Sequence, residues 1–207
     1  MVKVFAPMMS LDASGTLGDA VTFSKWKGRN YVRERVVPSN PKSGAQVGRR
    51  AMFRFLTQLW SVIGTSEKAT WQFKADELIA STFNAYLSYN MEMWHNFYAP
   101  MEAATGARTG TPSDNALTAA AWEENRVKLT LSGSALGDAW GIILFGYTST
   151  GFTPAVGNAI LVENDTTIAS HDFYWTPPSV TTWYFNSIAF SDDGAKATAG
   201  GEQSAVP

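Results

Sequence analysis

Apolar positions along this chain fall into three blocks, with strand spacing in the first and third and helical spacing between them. Across residues 20–37 they alternate with polar ones. Two strands are predicted there, at 20–26 and 31–37, with Lys27-Gly28-Arg29-Asn30 as the turn between them. The period of two puts Val32, Glu34 and Val36 on one side of the second strand, and Tyr31, Arg33 and Arg35 on the other. Beyond that the spacing lengthens. Met52, Phe55, Leu56, Leu59 and Ile63 fall on a single helical stripe. Asn40-Pro41 predicts the start of this helix, and Gly64 its end, with Thr65 or Ser66 opening the next. The second helix carries Ala69, Phe73 and Leu78. A third, from Thr82, carries Phe83, Tyr86, Leu87, Met91 and Trp94. After that, short β-runs return at residues 117–120, 126–132, 140–146, 159–162, 168–174 and 182–190, with a weak last run at 195–199. Gly133, Gly151 and Asp193-Gly194 mark turns among them.

These patterns predict an α+β multidomain chain. Residues 1–40 read as a basic arm and β-hairpin, and 41–102 as a small helical anchoring domain. Residues 103–113, small and polar, read as a linker. Residues 114–207, with seven short strands, read as an all-β, Ig-like sandwich. A lone hairpin is marginal in water, and three short helices cannot bury so many aromatics by themselves. The hairpin is expected to cover the helices, or another chain is.

Composition narrows the chemistry. The 207 residues include no cysteine, which excludes disulfides, thiolate catalysis and thiolate metal sites. No apolar run approaches the ~18 residues of a membrane span, so no membrane partner is expected. His95 and His171 are the two histidines, and neither sits in a metal-binding spacing. Gly15-Thr16-Leu17-Gly18-Asp19 lacks the Lys-Ser/Thr of a phosphate loop and reads as a turn. The acid pairs Glu123-Glu124, Glu163/Asp165 and Asp192-Asp193 all fall beside turn residues and read as solvated loops. A non-enzymatic chain without a cofactor is the expectation.

Charge changes the picture more than composition does. Residues 1–60 hold ten Lys and Arg against three acids, and residues 101–207 hold four against eleven. The basic end should seek an acidic surface. Arg29, Arg33, Arg35, Arg49 and Arg50 are the candidate contacts, with Trp26, Tyr31 and Phe53 as apolar anchors. Basic residues interleaved with aromatics also occur in nucleic-acid binders, but the pattern fits no known module, and nucleic acid is not the expected partner. Trp175, next to Pro177-Pro178 at a strand end, is the candidate for contact with a host surface glycan.

Two stretches resemble known families. Ser14-Gly15-Thr16-Leu17-Gly18-Asp19, then Thr22 to Arg33, Val37-Pro38-Ser39-Asn40-Pro41, Gln46, Arg50 and Phe53 form a spaced pattern. Trp60, Trp71, Phe83-Asn84-Ala85-Tyr86 and Asn90 extend it. This resembles a group of uncharacterised proteins encoded in tailed-phage and prophage structural regions. Trp183-Tyr184-Phe185-Asn186-Ser187-Ile188-Ala189-Phe190 is similar to the late strand of fibronectin type III modules, which bears an aromatic corner, and Gly151-Phe152-Thr153-Pro154 resembles a loop phrase of such modules. The second strand lacks the Trp common there. Together the resemblances imply a structural protein of a tailed-phage virion, most readily a capsid decoration or auxiliary head protein. Neck or tail accessory protein and carbohydrate-binding adhesin are the alternatives. The implied partners are other virion proteins and further copies of this chain, in the virion after assembly in the host cytoplasm.

Overall fold

The computed structural model describes residues 2–3, 14–18, 20–37, 39–40, 42–104, 106–112, 116–132, 139–164 and 170–207. It divides the chain into two compact units, 1–41 and 42–207.

The first unit is a four-stranded antiparallel sheet in the order β1-β4-β3-β2. Its strands are β1 (Val2–Lys3), β2 (Gly15–Leu17), β3 (Val21–Trp26) and β4 (Arg29–Glu34). The expected hairpin lies at its centre. Trp26 pairs with Arg29, and Lys27 and Gly28 between them both take positive φ, 48° and 76°. Two such residues make the turn whose twist matches a hairpin. None of the described side chains in this unit is buried.

The second unit begins with helices. The stripe read from the sequence forms α1 (Gly44–Leu59), which buries Met52, Phe55, Leu56 and Leu59. The helix starts later than Asn40-Pro41 predicts. Ser43 is its cap residue, and Pro41 lies outside the described residues. The second predicted helix is split at Trp71 into α2 (Thr65–Thr70) and α3 (Gln72–Leu78). The third, α4 (Thr82–His95), is capped by Ser81, whose hydroxyl accepts the Asn84 N–H at 3.2 Å.

Seven strands follow: β5 (Ala116–Trp122), β6 (Arg126–Ser132), β7 (Ala139–Tyr147), β8 (Ala159–Glu163), β9 (Ser170–Trp175), β10 (Trp183–Ser191) and β11 (Gln203–Ala205). They form two sheets, β5-β6-β9 and β11-β10-β7-β8. This is an Ig-like sandwich. Because β8 pairs with β7 and not with β9, the division is the three-plus-four one of fibronectin type III modules. Trp183 supplies the aromatic corner: its indole N–H donates to the carbonyl of Ser179 at 3.1 Å. The weak run at 195–199 makes only a single bridge, Phe190 to Lys196, and the last strand is the short polar Gln203–Ala205 instead. Gly133 and residues 168–169, read as a turn and a strand start, lie outside the described residues.

The sandwich has two cores, one on each face of its four-stranded sheet. Leu129, Ile142, Leu144, Phe173 and Phe185 fill the space between the sheets. Ile143, Phe145, Ile188 and Phe190, the alternate residues of β7 and β10, pack with Met52, Phe55, Leu56 and Trp94 of the helices. Phe55, Trp140 and Phe190 meet edge to face, with centroids 5.4–6.0 Å apart. The sandwich covers Phe55 and Trp94, whereas Phe53 and Phe73 stay exposed on the helices. Residues 42–207 are thus one unit, where the sequence predicts a helical domain tethered to a separate sandwich.

The stretch expected as a linker is tied down. The Arg108 guanidinium donates to the carbonyls of Ala99 (3.2 Å) and Gly194 (2.6 Å). Asp193 accepts the backbone N–H groups of Thr109 (2.5 Å) and Gly110 (2.7 Å). Just before it, the buried Asn90 side chain exchanges two hydrogen bonds with the backbone of Met101, at 3.0 and 2.8 Å. No described helix is long and apolar enough to cross a membrane.

Candidate functional site

The residues expected to meet a partner fall on both units. In the first, pairing of β3 with β4 sets Thr22 beside Arg33, Ser24 beside Tyr31, and Trp26 beside Arg29. Strand alternation then gathers Trp26, Arg29, Tyr31 and Arg33 onto one face. Trp26 is 65% exposed, and Lys27 lies over its ring at 4.8 Å. Arg35 lies just beyond β4, where its N–H donates to the carbonyl of Ala20 at 2.9 Å. The opposite face carries Leu17, Val21, Phe23 and Val32, flanked by Glu34 beside Val21 and by Lys25 beside Asn30. The small sheet therefore has one basic aromatic face and one whose apolar centre is flanked by charge.

Arg49, Arg50 and Phe53 belong to the second unit, on α1. All three are exposed, Phe53 to 48%. Arg49 donates to Nδ1 of His95, 2.9 Å away. The candidate contacts expected on the basic arm and on the helical segment thus lie on two different units. His171 stacks on Phe173, with rings 4.4 Å apart and 7° from parallel.

Trp175, the candidate for glycan contact, is half-buried. Alternation along β9 turns it inward with Phe173. Its ring meets Trp183 at 4.9 Å and Phe185 at 5.7 Å, both edge to face. The outward positions of β9 are Asp172 and Tyr174. Tyr174 lies 5.2 Å from the exposed Trp122, and Lys128 reaches both that Trp ring and the Asp172 carboxylate, at 5.4 and 2.8 Å. Their ion pair and the Thr130 hydroxyl hold Asp172 below the usual carboxylate range. The sequence reading missed this outer aromatic pair; the cue was Tyr174 alternating with Phe173 and Trp175.

The free part of the Trp175 ring lines an open groove of about 720 Å³. Tyr147, Ile160, Pro177 and Trp183 share its walls, and Lys42 and the first turn of α1 close one side. The groove presents flat apolar surface with one cation. Such a lining suits a flat, largely apolar ligand face more than a reacting bond. Among the described residues, no group of three His, Asp or Glu side chains is placed to hold a metal ion.

No family model matches this chain, and no curated protein does. Among solved structures, the chain is similar to a Fn3-like protein from Clostridium thermocellum. That match has 21% identity and a TM-score of 0.37, covering 46% of this chain and 93% of that one. It is also similar to the FN1–FN3 domains of chicken CNTN1. There the identity is 12% and the TM-score 0.36, and the match covers 47% of this chain and 34% of that one.

Proposed function

We propose that this chain is a non-enzymatic structural protein of a tailed-phage virion, a capsid decoration or auxiliary head protein. It works without a cofactor, anchors through its N-terminal half and displays an Ig-like sandwich. The observation that carries this reading is the two-faced N-terminal sheet. A unit of this size with an apolar patch at the centre of one face and no buried described side chain gains stability by docking. Leu17, Val21, Phe23 and Val32 would be covered by a virion subunit or by another copy of this chain. On the other face Arg29 and Arg33 would pair with carboxylates, and Trp26 and Tyr31 would supply the large desolvated contacts typical of interface hot spots. The charge split along the chain supports the same polarity, with the basic end inward and the acidic end outward.

The test is quantitative mass spectrometry of purified particles of the encoding phage. A copy number that scales with the capsid lattice is expected. A number matching one ring would move the protein to the neck or tail, and absence from the particle would overturn the virion reading.

A second reading, a glycan-binding adhesin, is favoured by the groove beside Trp175. Glycan retention that falls on Trp175→Ala would support it, provided that the variant melts like the parent.

A further inference from the structure

We propose that the cleft between α1 and the edge strand β8 binds an extended acidic peptide segment of a partner protein, which adds as a fifth strand to the four-stranded sheet. This is independent of the virion reading.

The edge itself is the first reason. β8 is outermost in the order β11-β10-β7-β8, so among the described strands only β7 pairs with it. Its sequence, Ala159-Ile160-Leu161-Val162, contains neither lysine nor proline, and its charge comes only at Glu163. Sheet edges in soluble proteins are ordinarily guarded by such residues or by a covering helix; α1 touches this edge at Ala159, and the apolar edge beyond it is a template for another strand.

The second reason is what stands beside it. A hollow of about 280 Å³ is lined by Ile160, Leu161 and Val162 on the strand side and by Lys42, Arg50 and Arg54 on the other, with no carboxylate among the described lining residues. All three cations are exposed. The hollow continues into the Trp175 groove through Lys42, Val47 and Ile160, which line both.

Length agrees with an extended occupant. From Gly44 to Arg54 the helix rises about 15 Å, the span of roughly five residues of β-strand. Main-chain hydrogen bonds to β8 would give affinity without regard to sequence, and the cations would select for acidic residues. An uncharged segment would gain nothing from the positive charge of this wall, and a basic one would be repelled.

The experiment uses the full chain and a fluorescein-labelled peptide of about eight alternating valine and aspartate residues. Fluorescence anisotropy is expected to show saturable binding below about 1 mM. The R50E/R54E double variant should weaken it about tenfold or more while melting like the parent. The same peptide N-methylated at alternate residues keeps its charge but loses one row of donors, and should also bind at least about tenfold more weakly. Hydrogen exchange should slow at residues 159–163 when the unmodified peptide is present.

Four results would overturn the proposal: no binding; undiminished binding of the N-methylated peptide; loss of binding on R29E/R33E in place of R50E/R54E; or tighter binding of a single-stranded oligonucleotide of equal charge.

Discussion

Gly48 lies so close to Val156 that a methyl group on its Cα would sit 2.3 Å from the Val156 carbonyl oxygen. One turn earlier, a methyl on Gly44 would sit 1.9 Å from the carbonyl oxygen of Gly157. The two glycines let the first half of α1 rest directly on the backbone leading into β8. The Trp94 indole N–H then donates to the Gly48 carbonyl at 3.2 Å and ties α4 to the same point. Helix, turn and edge strand are thereby joined where the candidate groove begins.

Gly48→Ala should therefore destabilise the protein even though alanine is the better helix former. Overpacking costs about 1–3 kcal/mol, and the gain in helix propensity returns about 1 kcal/mol. A fall in Tm of about 2–6 °C is expected for a chain of this size. Gly157→Ala is the control, since a methyl there meets open space. A higher Tm for Gly48→Ala would show that the contact is slack.

Asp193 organises the turn after β10. Its carboxylate accepts the Ser191 hydroxyl and the backbone N–H groups of Ala195, Gly110 and Thr109. Burial alone would raise its pKa, but these bonds outweigh that and hold it well below the usual carboxylate range. A depressed carboxyl stabilises the fold above its unfolded value near 3.9, and the contribution is lost as pH falls toward the folded value. Asp193→Asn should cost about 1–2 kcal/mol at pH 7, an amount limited by solvent screening. The gap between variant and parent should close as pH falls from about 5 to about 2. Melting curves across that range test it, and a gap that does not change with pH would refute the assignment.

What was legible in the sequence follows from whether a contact is local. The hairpin turn could be read only in part: Gly28 is itself a signal for positive φ, but Lys27 takes one without such a signal, and Arg29 and Asn30, expected in the turn, open β4. The α1 stripe could be read because its spacing matches the helix period. The run from Trp183 to Phe190 marked the late strand that bears the corner, but not which of its aromatics forms it. The union of helices and sandwich was less visible, because it rests on pairs far apart in sequence such as Phe55 and Phe190. A cue did exist. Ile142-Ile143-Leu144-Phe145 is a continuous apolar run, not an alternating one, and a strand of that kind is buried on both faces. Gly44 and Gly48 gave no such cue, since glycine in a helix reads only as a weakness until its neighbour is known. The partner residues were legible by type but not by position, and the alternation that gathers Trp26, Arg29, Tyr31 and Arg33 says nothing of Arg49 or Arg50 on another unit.

Tyr86 is fully buried, and its hydroxyl has no hydrogen-bond partner among the described residues. Burial raises its pKa, and the nearby Glu102 carboxylate adds to the effect. Its ring is fully used, edge to face with Trp71 at 5.4 Å and tilted on Trp60 at 5.0 Å. Tyr86→Phe should keep those contacts and relieve an unsatisfied group, leaving stability unchanged or raised by up to about 1 kcal/mol. Tyr86→Ala should lose about 3–5 kcal/mol. Urea denaturation of both variants separates the two roles, and a large loss in the Phe variant would mean that the hydroxyl has a partner after all.

Glu102 shows the opposite sign to Asp193. Burial raises its carboxyl pKa first, and the neighbouring carboxylates of Asp192 and Glu67 raise it further. Its backbone is fixed: the N–H donates to the Asp192 carbonyl at 2.7 Å, and its carbonyl accepts the Trp71 indole N–H at 2.8 Å. The side chain therefore cannot move far from its like-charged neighbours. For a raised carboxyl, the stabilising contribution is full below the unfolded value near 4.3 and is lost as pH rises through the folded value. At neutral pH the charge is thus a net cost. Glu102→Gln removes that charge and keeps the shape, so Tm should rise by about 1–2 °C at pH 7–8 and be unchanged near pH 4. A variant less stable than the parent at pH 8 would mean that the carboxylate meets a cation, and that the like-charge account of this corner is wrong.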